Sequence, residues 1–390
     1  MIKNKDKGIT LIALVITIII LLILAGISIS ALTNQGLFKN AKIAQNATEK
    51  AEKEQGQRLN EYEDEINKYL GNSKEESKVP TVEESIKKNG ALSTTDNTEL
   101  KDAKNNKIVV PAGFKIVNGA TTVDKGIVIE DATTGATAGS QFVWIPVGTI
   151  YTDTTKTEAN AKNIELGRYE FDSNGNKSAY SGSYVEEDKG DTNITLKNYG
   201  NTIAKNITNF KNSVETNGGY YIGRYEARTT TKRTAEGNAL TQITEKGIDQ
   251  IYNYVKQSQA AKLSQEMYNS NKFTSDLMNS YAWDTATLFL QTCGEEKYSI
   301  KTSVNNSLAS KGTNSSDYTG TRDTVCNVYD MASNVYEWTT ETSGSSHGPC
   351  ITRGGSYDDY GSSDFYTSNR YSYDTSISRA FDGFRPLLFV

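Results

Sequence analysis

The side chains that could do chemistry in this chain gather towards its C-terminus, and most are carboxylates and phenols. Tyr329 to Trp338 reads YDMASNVYEW and carries two carboxylates, Asp330 and Glu337. Gly354-Gly355-Ser356 follows, then Asp358, Asp359 and Asp364, and near the end Gly383-Phe384-Arg385. Two neighbouring carboxylates can share acid–base work. In a hydrophilic Tyr/Ser loop, Asp359 and Asp364 read more simply as solvated side chains. Asp330 and Glu337 can equally cap turns by accepting from backbone N–H groups. The stretch 357–374 mixes Tyr357, Tyr360, Phe365, Tyr366, Tyr371 and Tyr373 with Ser, Asp, Gly and Asn369. Tyrosine offers large contact area at low entropic cost, and Ser, Gly and Asn offer adaptable hydrogen bonds, so this is the composition of a recognition surface. A Tyr-rich region that packs on itself has the same composition. The expected ligand contacts are Tyr357, Asp358, Asp359, Tyr360, Asp364, Tyr366, Asn369 and Tyr371.

Other chemistries are poorly supplied. His347 is the only histidine, which argues against zinc sites and Ser-His-Asp triads. The three cysteines, Cys293, Cys326 and Cys350, are odd in number and lack CxxC spacing. They make neither a disulfide framework nor a metal cluster. One disulfide with a spare thiol and three reduced cysteines both fit. The net charge of −5 comes with no Lys/Arg-dense face, so nucleic acid is not an expected partner.

The elements that must position these residues begin with an apolar N-terminus. Lys3, Lys5 and Lys7 precede Gly8, and residues 9–32 carry no charge. A run of roughly 20 apolar residues suffices to cross a bilayer as a helix, with the lysines on the cytoplasmic side. The expectation is one membrane span at 9–32 with everything after it outside the cell. Ala41, Ala44, Ala47 and Ala51, then Leu59, Tyr62, Ile66 and Tyr69, recur at helical spacing. Glu49, Lys50, Glu52 and Lys53 give a mixed-charge solvated face. Residues 33–71 are therefore expected to form a helical stalk ending at Gly71, and 72–105 a linker or loosely packed entry to the head, with a short helix at 82–88. Runs rich in Val, Ile and Phe at 107–117, 126–130 and 141–147 read as strands opening a head at 106–390. Residues 152–209 read as long polar loops. Residues 248–263 have a helical period, with Ile251, Tyr254, Val255 and Ala260 inward, and 280–290 also read as helix.

Two resemblances sharpen this outline. Lys7-Gly8-Ile9-Thr10-Leu11-Ile12-Ala13-Leu14 resembles the prepilin signal, in which a peptidase cuts after the glycine. The resemblance implies processing at Gly8-Ile9, a leader at 1–8, and a prepilin peptidase and pilin subunits as partners. Such signals usually carry Phe first and Glu fifth in the mature chain, where Ile9 and Ala13 stand here. The missing carboxylate would normally pair with a neighbour's N-terminal amine in an apolar filament core, where an unpaired charge is costly. A minor or tip pilin, or a pilin-like anchor, fits better than a main filament subunit.

The head resembles the formylglycine-generating (sulfatase-modifying) family, with its C-type-lectin-like fold. Phe142-Val143-Trp144-Ile145-Pro146 is similar to its opening strand. Tyr220 to Glu226 is similar to FYIDKYEVT, and Tyr281 to Ala286 to VSWDDA. The series from Tyr329 is similar to LYDMAGNVWEW, followed by GGS and GFR. The resemblance implies an α+β head of many short strands and long loops behind a long N-terminal helix, with Trp283 and Trp338 as core anchors. It also implies a calcium site built from the side chains of Asp330 and Glu337 and the carbonyls of Ser333 and Val335. Hard oxygen donors of this kind suit calcium. Ser333 replaces a usual Gly and would be strained if a positive φ were needed there. The family enzyme places two cysteines after GGS, in GGSxxCxxxxC, to bind Cu(I). Asp359 and Asp364 occupy those positions, and carboxylates cannot do thiolate chemistry, so neither copper nor oxidase activity is expected. Retroelement-diversified proteins of the same fold vary a Tyr/Ser/Asp/Asn-rich loop between GGS and GFR. The combined expectation is a bacterial surface-displayed binding or adhesion protein with an inactive head and an extracellular ligand. The alternatives are a minor pilin, a diversified variable protein and a residual enzyme.

Overall fold

Gln141–Pro146 is buried along nearly its whole length, because both faces of the sheet around it are covered. A strand in that position reads as a continuous apolar run, and this one reads QFVWIP. The computed structural model describes residue 51 and residues 79–88, 90–119, 121–186, 200–237, 243–302, 323–359 and 366–390. Within it, Gln141–Pro146 lies near the middle of a six-stranded antiparallel sheet. The order is Thr274–Leu277, Pro386–Phe389, Gly219–Gly223, Gln141–Pro146, Val128–Asp131, Phe114–Ile116. Tyr221 pairs with Trp144 on one side and Leu388 on the other, so the chain's last strand closes the core. The Trp144 and Tyr221 rings stand 4.9 Å apart. A Cβ at Gly219 would meet the Trp144 indole at 2.5 Å, so only glycine fits there.

A second sheet has four strands in the order Arg370–Tyr373, Cys350–Arg353, Tyr336–Thr342, Asp382–Phe384. Its last pairing is parallel, with Glu337 opposite Gly383. The helix Ser280–Cys293 carries a buried stripe that includes Ala282, Trp283, Ala286, Phe289 and Leu290. It starts at Asn279, whose side chain accepts from the Ala282 N–H and so satisfies one open donor of the first turn. Trp283 and Trp338 are fully buried, and their indole N–H groups donate to Thr367 O and Val255 O, each at 2.8 Å. Both are core anchors, as the motifs imply.

The architecture expected from the sequence needs correction. Among the described residues strands predominate, and the four α-helices are short. The longest, Ser280–Cys293, has 14 residues. At about 1.5 Å per residue it falls well short of a bilayer's roughly 30 Å. No described helix is long and apolar enough to cross a membrane. The long-helix-plus-head fold and the single-span membrane placement with an extracellular head are therefore withdrawn. The leader at 1–8, with Gly8 and Ile9, the span at 9–32 and the stalk at 33–71 lie outside the described residues, apart from residue 51.

Two other segments differ from the sequence reading. Residues 79–390 form one compact unit, and Val82 and Leu100, in the stretch read as linker, are fully buried. In 248–263 the inward residues Ile251, Val255 and Ala260 are buried, but the α-helix covers only Gln257–Gln265. Arg233 takes the Asn253 and Tyr254 carbonyls at 2.7 and 3.0 Å, and Tyr254 sits at φ +48. Neither feature is compatible with a continuing helix.

Candidate functional site

Glu337 follows the tight loop 330–335 and enters the second sheet fully buried. Arg385, just past the paired strand Asp382–Phe384, reaches it. The guanidinium donates from Nε to Glu337 Oε2 at 3.1 Å and from Nη2 to Oε1 at 2.6 Å. Its remaining donors go to Gly223 O at 2.8 Å and Tyr329 O at 2.7 Å. A planar guanidinium matches a carboxylate in this fork–fork way. Burial pushes the Glu337 carboxyl up, and Arg385 works against that shift. Both Glu337 oxygens are thus engaged by Arg385.

The loop itself turns through left-handed residues at Asp330 (φ +64) and Asn334 (φ +68), not at Ser333. Ser333 is therefore not strained. Its hydroxyl donates to Asp330 Oδ1 at 3.3 Å. The Val335 N–H donates to Glu226 Oε1 at 3.1 Å, and the Asn334 amide donates to Glu226 Oε2. Because Arg385 takes both Glu337 oxygens, a calcium ion on Asp330, Glu337 and the Ser333 and Val335 carbonyls would have to compete with that guanidinium. Among the described residues no group of three or more His, Cys, Asp or Glu side chains could hold a metal. The sequence reading had passed over Glu226. It lies three residues past the buried strand Gly219–Gly223, at the end of the Tyr220–Glu226 motif. Burial pushes its carboxyl well above the usual range, Asp330 and Glu337 add to the shift, and Arg228 and Arg385 oppose it.

The phenols gather on the second sheet. Side chains alternate along a strand, so Tyr371 and Tyr373 share one face of Arg370–Tyr373, the sheet's edge strand. Arg370 turns the other way and ion-pairs with Asp284 of the long helix and, at 2.9 Å, with Glu341. Arg353 bonds the same two acids. Tyr371 and Tyr373 lie on the other face, where Tyr373 stands 6.1 Å from the buried Trp338 and packs against the core. Tyr371 and Tyr373, both half-buried, stand 6.2 and 6.4 Å from the Tyr336 ring and 6.4 Å from each other. Phe381 lies 6.1 Å from Tyr336 and 6.1 Å from Tyr357. The Arg379 guanidinium lies 4.2 Å from the Tyr373 centroid and 4.5 Å from that of Phe381, oriented by a two-point pair with Asp382. Asp359 accepts from the Tyr336 hydroxyl and, at 2.6 Å, from Ser356 N–H. Burial pushes the Asp359 carboxyl up, and these hydrogen bonds pull it down.

Of the expected ligand contacts, Tyr357, Asp359 and Tyr371 converge here. Asp358 is exposed beside them. Tyr366 stands apart at a β-bridge with Thr302. Asn369 closes a turn to Tyr366 O and gives its carbonyl to Arg353. Tyr360 and Asp364 lie outside the described residues, so the cysteine-replacing pair is seen only at Asp359. Tyr373, part of the Tyr-rich stretch but not among the expected ligand contacts, joins them, and Tyr336, Arg379 and Phe381, which the sequence does not point to, complete the cluster. The period-two spacing of Tyr371 and Tyr373 was the available signal.

The arrangement is an aromatic platform with one cation and one partly buried carboxylate. It can stack against a planar or CH-rich ligand face and hydrogen-bond at its rim. No family model, curated protein or solved structure matches this chain. The motif resemblances accordingly rest on their own residues.

Proposed function

We propose that residues 79–390 are a ligand-binding head of the formylglycine-enzyme-like kind that captures its ligand on the aromatic platform and is not an oxidase. One observation carries this reading. Tyr371 and Tyr373 remain half-buried, and so partly accessible, beside Tyr336, Phe381 and Arg379. Rigid aromatic anchors with a carboxylate at the rim are the usual centre of a recognition surface. The absence of an oxidase is argued from Asp359, which stands where a copper-binding thiolate would be required.

The test is binding of the purified protein to glycan and peptide arrays, followed by titration of the best binders. Tyr371→Ala and Tyr373→Ala should each weaken binding about tenfold or more, with thermal unfolding nearly unchanged for Tyr371→Ala and lowered for Tyr373→Ala, whose ring packs on Trp338. Binding that survives both substitutions would place recognition elsewhere. Conversion of a cysteine-containing peptide in the presence of copper would overturn the non-enzymatic reading.

A further inference from the structure

A second site lies away from the aromatic platform's residues, where Arg224 and Tyr225 leave the main sheet. The Arg224 N–H donates to Gln141 O at 3.0 Å, and the Tyr329 N–H donates to Arg224 O at 2.9 Å. These backbone pairings set the Tyr225 and Tyr329 rings side by side, 4.9 Å apart and tilted by 32°. The Arg224 guanidinium lies 5.6 and 5.5 Å from the two centroids. Both rings line a cleft of about 520 Å³ together with Gln141, Lys246 and Ile248. That volume is in the range of small-molecule sites. Ile248 is 78% exposed, the one large hydrophobic residue so exposed among those described. A single exposed isoleucine is ordinary, but this one forms a wall of the cleft.

The charge balance indicates what the cleft would hold. Arg224 donates only to neutral oxygens, Gln141 Oε1 at 2.7 Å and Asn327 Oδ1 at 3.3 Å. Its Nε is buried with no hydrogen-bond partner. Lys246 forms no ion pair among the described residues. Two of the acids nearby have hydrogen-bond or ion-pair partners. Glu130 accepts from Gln141 and pairs with Lys115 at 3.0 Å, and Asp249 accepts from Thr244 at 2.6 Å. Burial pushes the neighbouring Glu245 carboxyl well above the usual range, towards its neutral form. Lys246 lines the cleft and Arg224 lies beside its two rings, and neither forms an ion pair among the described residues.

We propose that this cleft binds a small aromatic anion, its ring against Tyr225, Tyr329 and Ile248 and its carboxylate or phosphate towards Lys246. The inference does not depend on the aromatic platform, because it rests on different residues. Ligand-detected NMR with 4-hydroxybenzoate and phenyl phosphate tests it, with benzylamine as the cationic counterpart. Saturable binding of either anion, at least about tenfold tighter than benzylamine, is expected. Whichever anion binds more tightly identifies the head group. Ile248→Asp and Lys246→Glu should each weaken that binding by about tenfold. Ile248 is too exposed for its replacement to disturb folding, and Lys246→Arg should retain binding. Failure of both anions to bind up to roughly 10 mM, equal binding of benzylamine, or indifference to Ile248→Asp and Lys246→Glu would each overturn the proposal.

Discussion

The residue that most sharply ties this protein's chemistry to its stability is Glu186. Its carboxylate accepts from the Ser280 N–H at 2.7 Å and from the Thr340 hydroxyl. Burial, with the nearby charge of Glu341, pushes the carboxyl up to about 7. The ordinary value is 4.5, so the folded state holds this proton more tightly than the unfolded chain does. The stability contributed by the protonated form is full below about 4.5 and is lost as pH rises through about 7. Chemical denaturation of the wild type and of Glu186→Gln between pH 4 and pH 8 checks this. The variant should gain on the wild type as pH rises through that window and hold the gain above it. Differences confined to lower pH would refute the assignment. Surface carboxylates with the opposite shift, such as Asp96 and Glu165, are common to both proteins and cancel in the comparison.

At the scale of elements, glycine placement and capping show how local chemistry holds the site. Gly354, first of the GGS pair, sits at φ +77, and a Cβ there would meet Met331 O at 2.4 Å. Both the backbone region and the close approach require glycine. Gly354→Ala should cost about 1–3 kcal/mol in urea unfolding, and a loss well below that would mean the loop simply yields. Much at this scale is legible in the sequence. The helix starting at residue 280 shows its period and its Asn279 cap, and the strand 141–146 shows its apolar run. Residues 248–256 do not read correctly, because their apolar spacing suits a helix while Arg233 takes the carbonyls a helix would use. The helix Ile207–Asn217 falls partly within the stretch read as polar loop. Its interior is polar, and only Ile207, Phe210 and Val214 are buried.

For the molecule as a whole, the sharpest question is where the cooperative unit begins. Val82 and Leu100 are fully buried, and Thr98–Lys101 pairs with Lys107–Val110 residue for residue. A chain starting at Val79 should therefore unfold thermally as one cooperative transition. A chain starting at residue 106 should melt several degrees lower, since it loses two core side chains of about 2–5 kcal/mol each and a paired strand. Equal melting temperatures would show that 79–105 contribute nothing to the core.

By itself the sequence determined the buried aromatic anchors, the main strands, the glycines of the turns and the class of side chain available for recognition. These are local properties of period, composition and backbone freedom. The apolar run at 9–32 is legible only at that level, since it lies outside the described residues. The tertiary structure decided which partners those side chains take. Glu337 meets Arg385 across 48 residues and Arg370 meets Asp284 across 86. Tyr336 meets Tyr371 through two intervening strand pairings. Whether a carboxylate serves a metal or a guanidinium, and which face a tyrosine shows, depends on strand register and burial between distant segments. Residue type and spacing along the chain do not encode that directly.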